Sequence, residues 1–386
     1  MTPRLRAAAA VLSLAAPAAA QDVTVHHLTV ERDVPPTLSD LDPRPDGLSR
    51  DGAAVGLADN ATTGRFTGQT WALTESVVPL GDDVAAAARA ALARTPFLVV
   101  DGPAKALTAI ADLPEAEGAL VFNGAEGADG LRGDGCRANL LHTAPSTAMR
   151  TDALAQFLAL RRWDDLPLIV GTHPRDAAYA DALRASLSKF GLRAGDEKTW
   201  AFDADMRRNA AQEVPLFTQG FGDYDALLVA DEWGDFARYI PYNTWEPRPV
   251  AGSEGLTAVA WSPVVEQWGA AQLQSRFADA AGRDMAPEDW GAWAAVRALG
   301  EAVTRTGRAD PAALRAYMLG AAFELAGFKG RPLTFRAWDG QLRQPVPLVH
   351  ARALVAQAPL EGFLHPNTEL DTLGVDAPET TCTAFQ

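Results

Sequence analysis

Seven side chains stand near the ends of apolar runs in this chain, and their types suit holding a small solute better than converting it. Arg32 and Lys105 offer positive charge, Asp231 and Glu232 negative charge, Asn123 an amide, and Tyr179 and Trp233 rings with a polar handle. In open α/β sheets the loops at the C-terminal ends of the strands are where ligands sit. Each residue also has a plainer reading. Arg32 and Lys105 are equally ordinary surface charges, Tyr179 an ordinary helix-surface tyrosine, and Asp231-Glu232-Trp233 a solvated helix start whose acids suit the helix dipole. Tyr239, Tyr242 and Trp245, set among Pro241 and Pro247, are either an aromatic wall for a ligand or packing under a Pro-rich loop.

Catalytic and metal chemistry find little support. The sequence lacks a GxSxG nucleophile elbow, an HExxH pair, a P-loop and a GxGxxG fingerprint, and Gly130, Gly133 and Gly135 have the wrong spacing for the last. His26 and His27 are adjacent in a strand pattern, so they face opposite ways and at most one can join a site. His142, His173, His350 and His365 are scattered, and the stretch Asp40 to Asp46 lacks the alternating order of a calcium loop. The expectation is no enzyme, no cofactor and no metal site.

The elements that must position these residues alternate between short apolar runs and helical segments, the signature of parallel sheets flanked by helices. Strands are expected at Val23–Val30, Trp71–Val78, Phe97–Val100 and Ala119–Phe122. Helices are expected at 48–59, from an Asp82 cap to Arg94, and at 104–113. A second series starts at Asn139–His142. It has a helix capped by Ser146, a strand at 166–170, a helix at 174–190, then strands near Thr199–Phe202, Ala226–Ala230 and Gly255–Trp261, with a short helix at 235–239 between the last two. Trp200 and Trp261 fall in strands by this reading.

The run from Glu288 to Pro347 is the most ordered part of the pattern. Trp290, Trp293, Val296, Leu299 and Val303 recur at helical spacing, with Arg297, Glu301 and Arg305 four apart on the other face. Gly307 suits a left-handed cap, Asp310 an N-cap and Pro311 a first helical turn. Leu333, Phe335 and Ala337 then alternate into an Asp339–Gly340 hairpin.

The first twenty residues read as a signal peptide: Arg4 and Arg6, an apolar stretch from Ala7 to Ala16, then Pro17 and Ala18-Ala19-Ala20 before Gln21. That stretch is too short to span a bilayer. The expected location is the periplasm. Its removal leaves 32 basic and 49 acidic side chains, a net charge near −17, which disfavours nucleic acid and anionic membranes as partners. Cys136 and Cys382 are the only cysteines, and export puts them where thiols pair. One disulfide is expected, stapling the tail 371–386 to the loop Arg132–Cys136.

In order and spacing the run from Glu288 to Pro347 resembles the C-terminal part of type I periplasmic solute-binding proteins, the branched-chain amino-acid receptor group of ABC importers. The fragments CRANLLHTAPS, DALAQFLALRRW and ELDTLGVDAPETTC are similar to a narrower branch associated with PQQ-dependent alcohol dehydrogenase systems. The resemblance implies two Rossmann-like lobes joined by several crossovers: 21–142 with 263–337, and 143–262 with 338–386. It also implies a cleft ligand, with an ABC permease or quinoprotein dehydrogenase components as partners. Such receptors hold an amino acid with hydroxyls on two first-lobe loops and an acid from the second lobe. Here those loops read Asp101-Gly102-Pro103-Ala104-Lys105-Ala106 and Asn123-Gly124-Ala125-Glu126-Gly127, without the Ser/Thr pairs. Amino-acid binding is therefore not expected.

Overall fold

The computed structural model describes residues 21–35, 44–201 and 206–386. The expected signal segment 1–20, residues 36–43 of the Pro- and Asp-rich loop, and Phe202 lie outside the described residues.

The chain first lays down β1 (Gln21–Val30), α1 (Arg50–Thr67), β2 (Gln69–Val78), α2 (Val84–Leu92), β3 (Phe97–Asp101), α3 (Ala104–Ala111), β4 (Leu120–Asn123) and β5 (Leu140–His142). The five strands form one parallel sheet in the order β2-β1-β3-β4-β5. β3 and β4 are buried at every position, which is why they read as unbroken apolar runs instead of an alternation. Asp83, not Asp82, caps α2, accepting from the Ala86 N–H at 3.0 Å.

The chain then crosses over and builds α4 (Thr147–Arg161), β6 (Leu168–Val170), α5 (Pro174–Lys189), β7 (Glu197–Thr199), α6 (Met206–Gln219), β8 (Leu227–Ala230), β9 (Val250–Gly252) and β10 (Leu256–Ala258). Ser146 caps α4 through the Met149 N–H, as its position before the apolar face foretold. A second crossing returns to α7 (Ala270–Ala281), α8 (Pro287–Thr306), α9 (Pro311–Met318) and a small antiparallel sheet of β11 (Leu325–Ala326), β12 (Pro332–Phe335) and β13 (Leu342–Arg343). A third crossing adds β14 (Val346–His350) and β15 (Ala353–Ala358) to the second sheet, whose order is β15-β14-β10-β9-β8-β6-β7.

Each large sheet has an apolar core on both faces. One face of the first packs under α1, α7 and α8, the other under α2 and α3. The second is covered by α4 and α5 on one side and by α6 with the segment 236–250 on the other. In α8, Trp290, Trp293, Val296, Leu299 and Val303 are all buried, each worth roughly 1.5–3 kcal/mol in apolar area removed from water. Gly307 closes that helix at φ +65°, and Asp310 caps α9.

Several boundaries differ from the sequence reading. β7 ends at Thr199, so Trp200 lies just past a strand, and Trp261 lies past β10; both are nevertheless buried. The helix expected at 235–239 is a single 3-10 turn, Ala237–Tyr239. Strand β9 was not anticipated. It joins β10 through a turn that needs Gly252 at φ +128° and Gly255 at φ +80°, where a Cβ would also strike the carbonyls of Val229 and Val250.

The tail beyond β15 runs across both halves. Gly374 N–H donates to Asp152 of α4 at 2.7 Å, and Lys189 of α5 donates to the Thr372 and Gly374 carbonyls. Arg336, just past β12, and Arg343 of β13 both reach Asp371. Cys382 is bonded to Cys136, with Cα atoms 5.7 Å apart.

Candidate functional site

Between the two sheets lies a cavity of about 390 Å³, walled from both sides. The first half contributes Arg32 after β1, the loop 124–128 after β4, and Pro287 and Glu288 at the start of α8. The second contributes Thr147 and Arg150 of α4, Arg175 and Tyr179 of α5, Glu232 after β8, and Val259 and Ala260 after β10.

The first wall is set by buried polar side chains the cavity does not touch. Asn123 accepts from the Ala125 and Glu126 N–H groups and donates to the Glu126 carbonyl at 2.7 Å, folding the loop onto itself. Arg132 is buried beneath it and donates to the carbonyls of Glu126, Ala128 and Ala144 and to Gln341. One guanidinium thus fixes the cleft loop and the first crossing together. Close approach fixes α8: a Cβ on Gly291 would lie 1.9 Å from the Gly124 carbonyl oxygen. Asp289 anchors the same helix start, accepting from the Ser49 N–H and from Arg283, while Ser49 Oγ meets His27. Arg32 donates to Asp101 at 2.8 Å and lies 3.8 Å from Glu126.

The second wall turns on Asp231, which accepts from the N–H groups of Gly234, Asp235, Phe236 and Ala237. Asp176 receives the Trp233 N–H, and Trp233 stacks on His173 with centroids 4.0 Å apart. So held, Glu232 faces the cleft and pairs with Arg150. Burial opposes charge on both, but their mutual attraction and two hydrogen bonds outweigh it, lowering the pKa of Glu232 and raising that of Arg150. Arg150 also lies over the Tyr179 ring at 5.5 Å.

Of the seven sequence candidates, Arg32, Tyr179 and Glu232 line the cavity. Lys105 is exposed on the first turn of α3 and does not line it. Asn123 and Asp231 are buried and spend their acceptors on backbone N–H groups, so they shape the walls without lining them. Trp233 is occupied by His173. Tyr242 and Trp245 are 79% and 53% exposed, and with Tyr239 they lie outside the cavity lining, so the aromatic wall is not found there. The sequence reading missed Arg150, Arg175 and Glu288. Arg175 and Glu288 each follow a proline at a helix start, and Arg150 sits four residues past the Ser146 cap, where a helix carries its first turn toward the cleft.

Chemically the site presents paired and unpaired charges, hydroxyls and small apolar patches, which suits capture of a solute. Among the described residues no cluster of three or more His, Cys, Asp or Glu side chains is placed to hold a metal ion.

The architecture is the type I periplasmic binding protein fold, two α/β lobes about a cleft. The chain is similar to a branched-chain amino-acid ABC transporter periplasmic ligand-binding protein from Burkholderia xenovorans, at 16% identity and TM-score 0.72 over 94% of this chain and 100% of that one. It is also similar to a leucine-, isoleucine-, valine-, threonine- and alanine-binding protein from Brucella ovis in a closed conformation, at 14% identity and TM-score 0.67 over 85% and 90%. A third likeness is to an ABC transporter solute-binding protein from Rhodopseudomonas palustris in complex with 3,4-dihydroxybenzoic acid, at 14% identity and TM-score 0.58 over 87% and 94%. No protein-family model and no curated protein matches the chain. At these identities the likeness establishes the fold. No helix among the described residues is long and apolar enough to cross a membrane.

Proposed function

We propose that this protein is a periplasmic receptor that closes its two lobes on a small solute and presents it to an ABC permease. The observation that carries this reading is the cavity walled from both lobes, at the ends of β4 and β8 and beside the crossings, where hinge closure would enclose a ligand. Arg32, Tyr179 and Glu232 are its ligand contacts, joined by Arg150, Arg175 and Glu288. The proposed lobes are 21–142 with 263–337 and 143–262 with 338–386. Because β13 pairs with β12, we move the second of those boundaries from 337 to Arg343, so that the hairpin arm belongs to the first lobe. The link to PQQ-dependent alcohol oxidation rests on the three sequence fragments quoted above. The leading segment 1–20 supports export.

A second reading is a sensor or assembly factor of the quinoprotein alcohol-oxidising system that feeds no transporter. The cleft loop favours it, since Gly124 to Ala128 carry no hydroxyl and Thr147 Oγ1 is already bonded to the Gly127 carbonyl. Thermal-shift screening against amino acids, short-chain alcohols, aldehydes, carboxylates, PQQ, calcium and lanthanide ions separates the two. A true ligand at a hundredfold its Kd adds about 2.7 kcal/mol of stability, and small-angle scattering should show a smaller radius of gyration with it. Silence across the panel favours the second reading.

A further inference from the structure

After the protein has satisfied what it can, the cleft retains unpaired groups of opposite sign on opposite walls. On the first lobe one guanidinium, Arg32, is shared between Asp101 and Glu126, so acid already exceeds base there. Glu288 adds a half-buried carboxyl that accepts from its own backbone N–H and forms no ion pair among the described residues. On the second lobe Arg150 and Glu232 neutralise each other, and Arg175 adds a guanidinium with no ion pair among the described residues. Tyr179, one turn along α5 from Arg175, is 1% exposed and lines the cavity, yet its hydroxyl is buried without a hydrogen-bond partner. Buried polar atoms are ordinarily paired, so an orphan hydroxyl lining a cavity points to a partner supplied from outside the chain.

Resting on the receptor reading, we propose that the ligand is a small zwitterion with charges at its two ends, the cation against Glu288 on the first lobe and the anion against Arg175 and the Tyr179 hydroxyl on the second. A plain anion would leave Glu288 uncompensated in a wall that already carries excess acid. A plain amine would leave Arg175 unpaired once closure strips its water, and unpaired charge away from water is costly. An α-amino acid carries both charges about one carbon, so it holds them closer together than a ligand charged at its two ends. A ligand charged at both ends satisfies both groups only when the lobes come together, so its binding favours the closed state. The state of Glu288 agrees: burial first, then the charges of Asp101 and Asp289, push its pKa up, and a ligand cation would relieve that repulsion.

The test is calorimetric titration of the purified protein with 3-aminopropionate, 4-aminobutyrate, 5-aminovalerate and 6-aminohexanoate, against butyrate, butylamine and leucine. At least one ω-amino acid should bind about tenfold or more tighter than each of the other three, and Glu288→Gln and Arg175→Ala should each weaken it about tenfold or more. Glu288→Gln should leave butyrate unweakened, and Arg175→Ala should leave butylamine unweakened. Melting temperatures of both variants without ligand that are no lower than the wild type's should confirm their fold, since neither side chain forms an ion pair among the described residues. The proposal is overturned if no ω-amino acid binds, if butyrate, butylamine or leucine binds as tightly as the best of them, or if both variants bind it like wild type. A singly charged or neutral compound that stabilises the protein and contracts it in the screen above would leave the receptor reading standing while this one fell.

Discussion

Arg150 and Glu232 meet in a two-pronged ion pair on the second-lobe wall of the cleft, Nη2 to Oε1 at 2.8 Å and Nη1 to Oε2 at 3.1 Å. Because Arg150 Nε also donates to the Ala258 carbonyl, the pair ties α4 to the loop after β8 and to the end of β10. Three pieces of one wall are thereby held by one side chain.

Glu232→Gln should lower stability by about 1–3 kcal/mol, since it strips one partner from a largely buried pair and strands the arginine. The folded pKa of Glu232 lies below its usual 4.5. Its contribution is therefore present above pH 4.5 and is lost as pH falls through the folded value. Denaturant unfolding across pH should show the gap between wild type and variant full at pH 7 and closing below pH 4.5. A gap that is constant with pH would sink the assignment.

Gly291→Ala should destabilise the protein by about 1–3 kcal/mol or more, because a methyl group there meets the Gly124 carbonyl of the cleft loop. Gly130→Ala is the control. It has open space and no left-handed backbone, and should change stability by less than about 0.5 kcal/mol. Melting curves of the two variants check the contrast.

The Cys136–Cys382 bond closes a covalent loop with a sequence separation of 246. A Cys136→Ser, Cys382→Ser variant should lose about 2–5 kcal/mol in chemical denaturation, and reduced wild type should match it. Because the tail also binds Asp152 and Lys189 of the second lobe, limited proteolysis should cut beyond Ala358 sooner in the variant. Equal stability with and without the bond would mean that the tail's other contacts suffice.

His27 offers a pH test of the first core. Burial first, then the charges of His26 and Arg50, hold its folded pKa at about 3 against 6.5. The unfolded chain therefore takes up a proton that the folded one refuses. Stability is full above pH 6.5 and falls as pH drops toward 3, by up to about 1.4 kcal/mol per pH unit. A His27→Gln variant should show a shallower fall between pH 6 and 4 by about one proton's worth.

Much of the fold was legible because its signals are local. The fully apolar Phe97–Val100 and Ala226–Ala230 runs marked buried parallel strands, and the Trp290–Val303 stripe with Gly307, Asp310 and Pro311 marked two helices. β9 escaped because Val250-Ala251-Gly252 is too short and too glycine-rich to stand out. The Asp339–Gly340 hairpin was expected, but its two-residue return strand β13 was too short to show where the chain leaves the small sheet. The site was less legible. Asn123 and Asp231 carry the right chemistry at the right loop ends, but they turn it onto their own backbones, and only side-chain direction distinguishes that from facing a ligand.

The sequence by itself determined the alternation of strands and helices, most of their caps and the pairing of its only two cysteines, each from periodicity, turn chemistry or count, which need no knowledge of distant neighbours; the two-lobed arrangement came from the resemblance of the Glu288–Pro347 run to a known family. Only the tertiary structure decided which polar groups pair and which stay open: Arg150 with Glu232 across 82 residues, Arg132 with the Gln341 amide across 209, Arg175 and Glu288 in no ion pair among the described residues. Charge pairing acts over a few ångströms of space, and three crossings of the chain bring together residues that the sequence holds far apart.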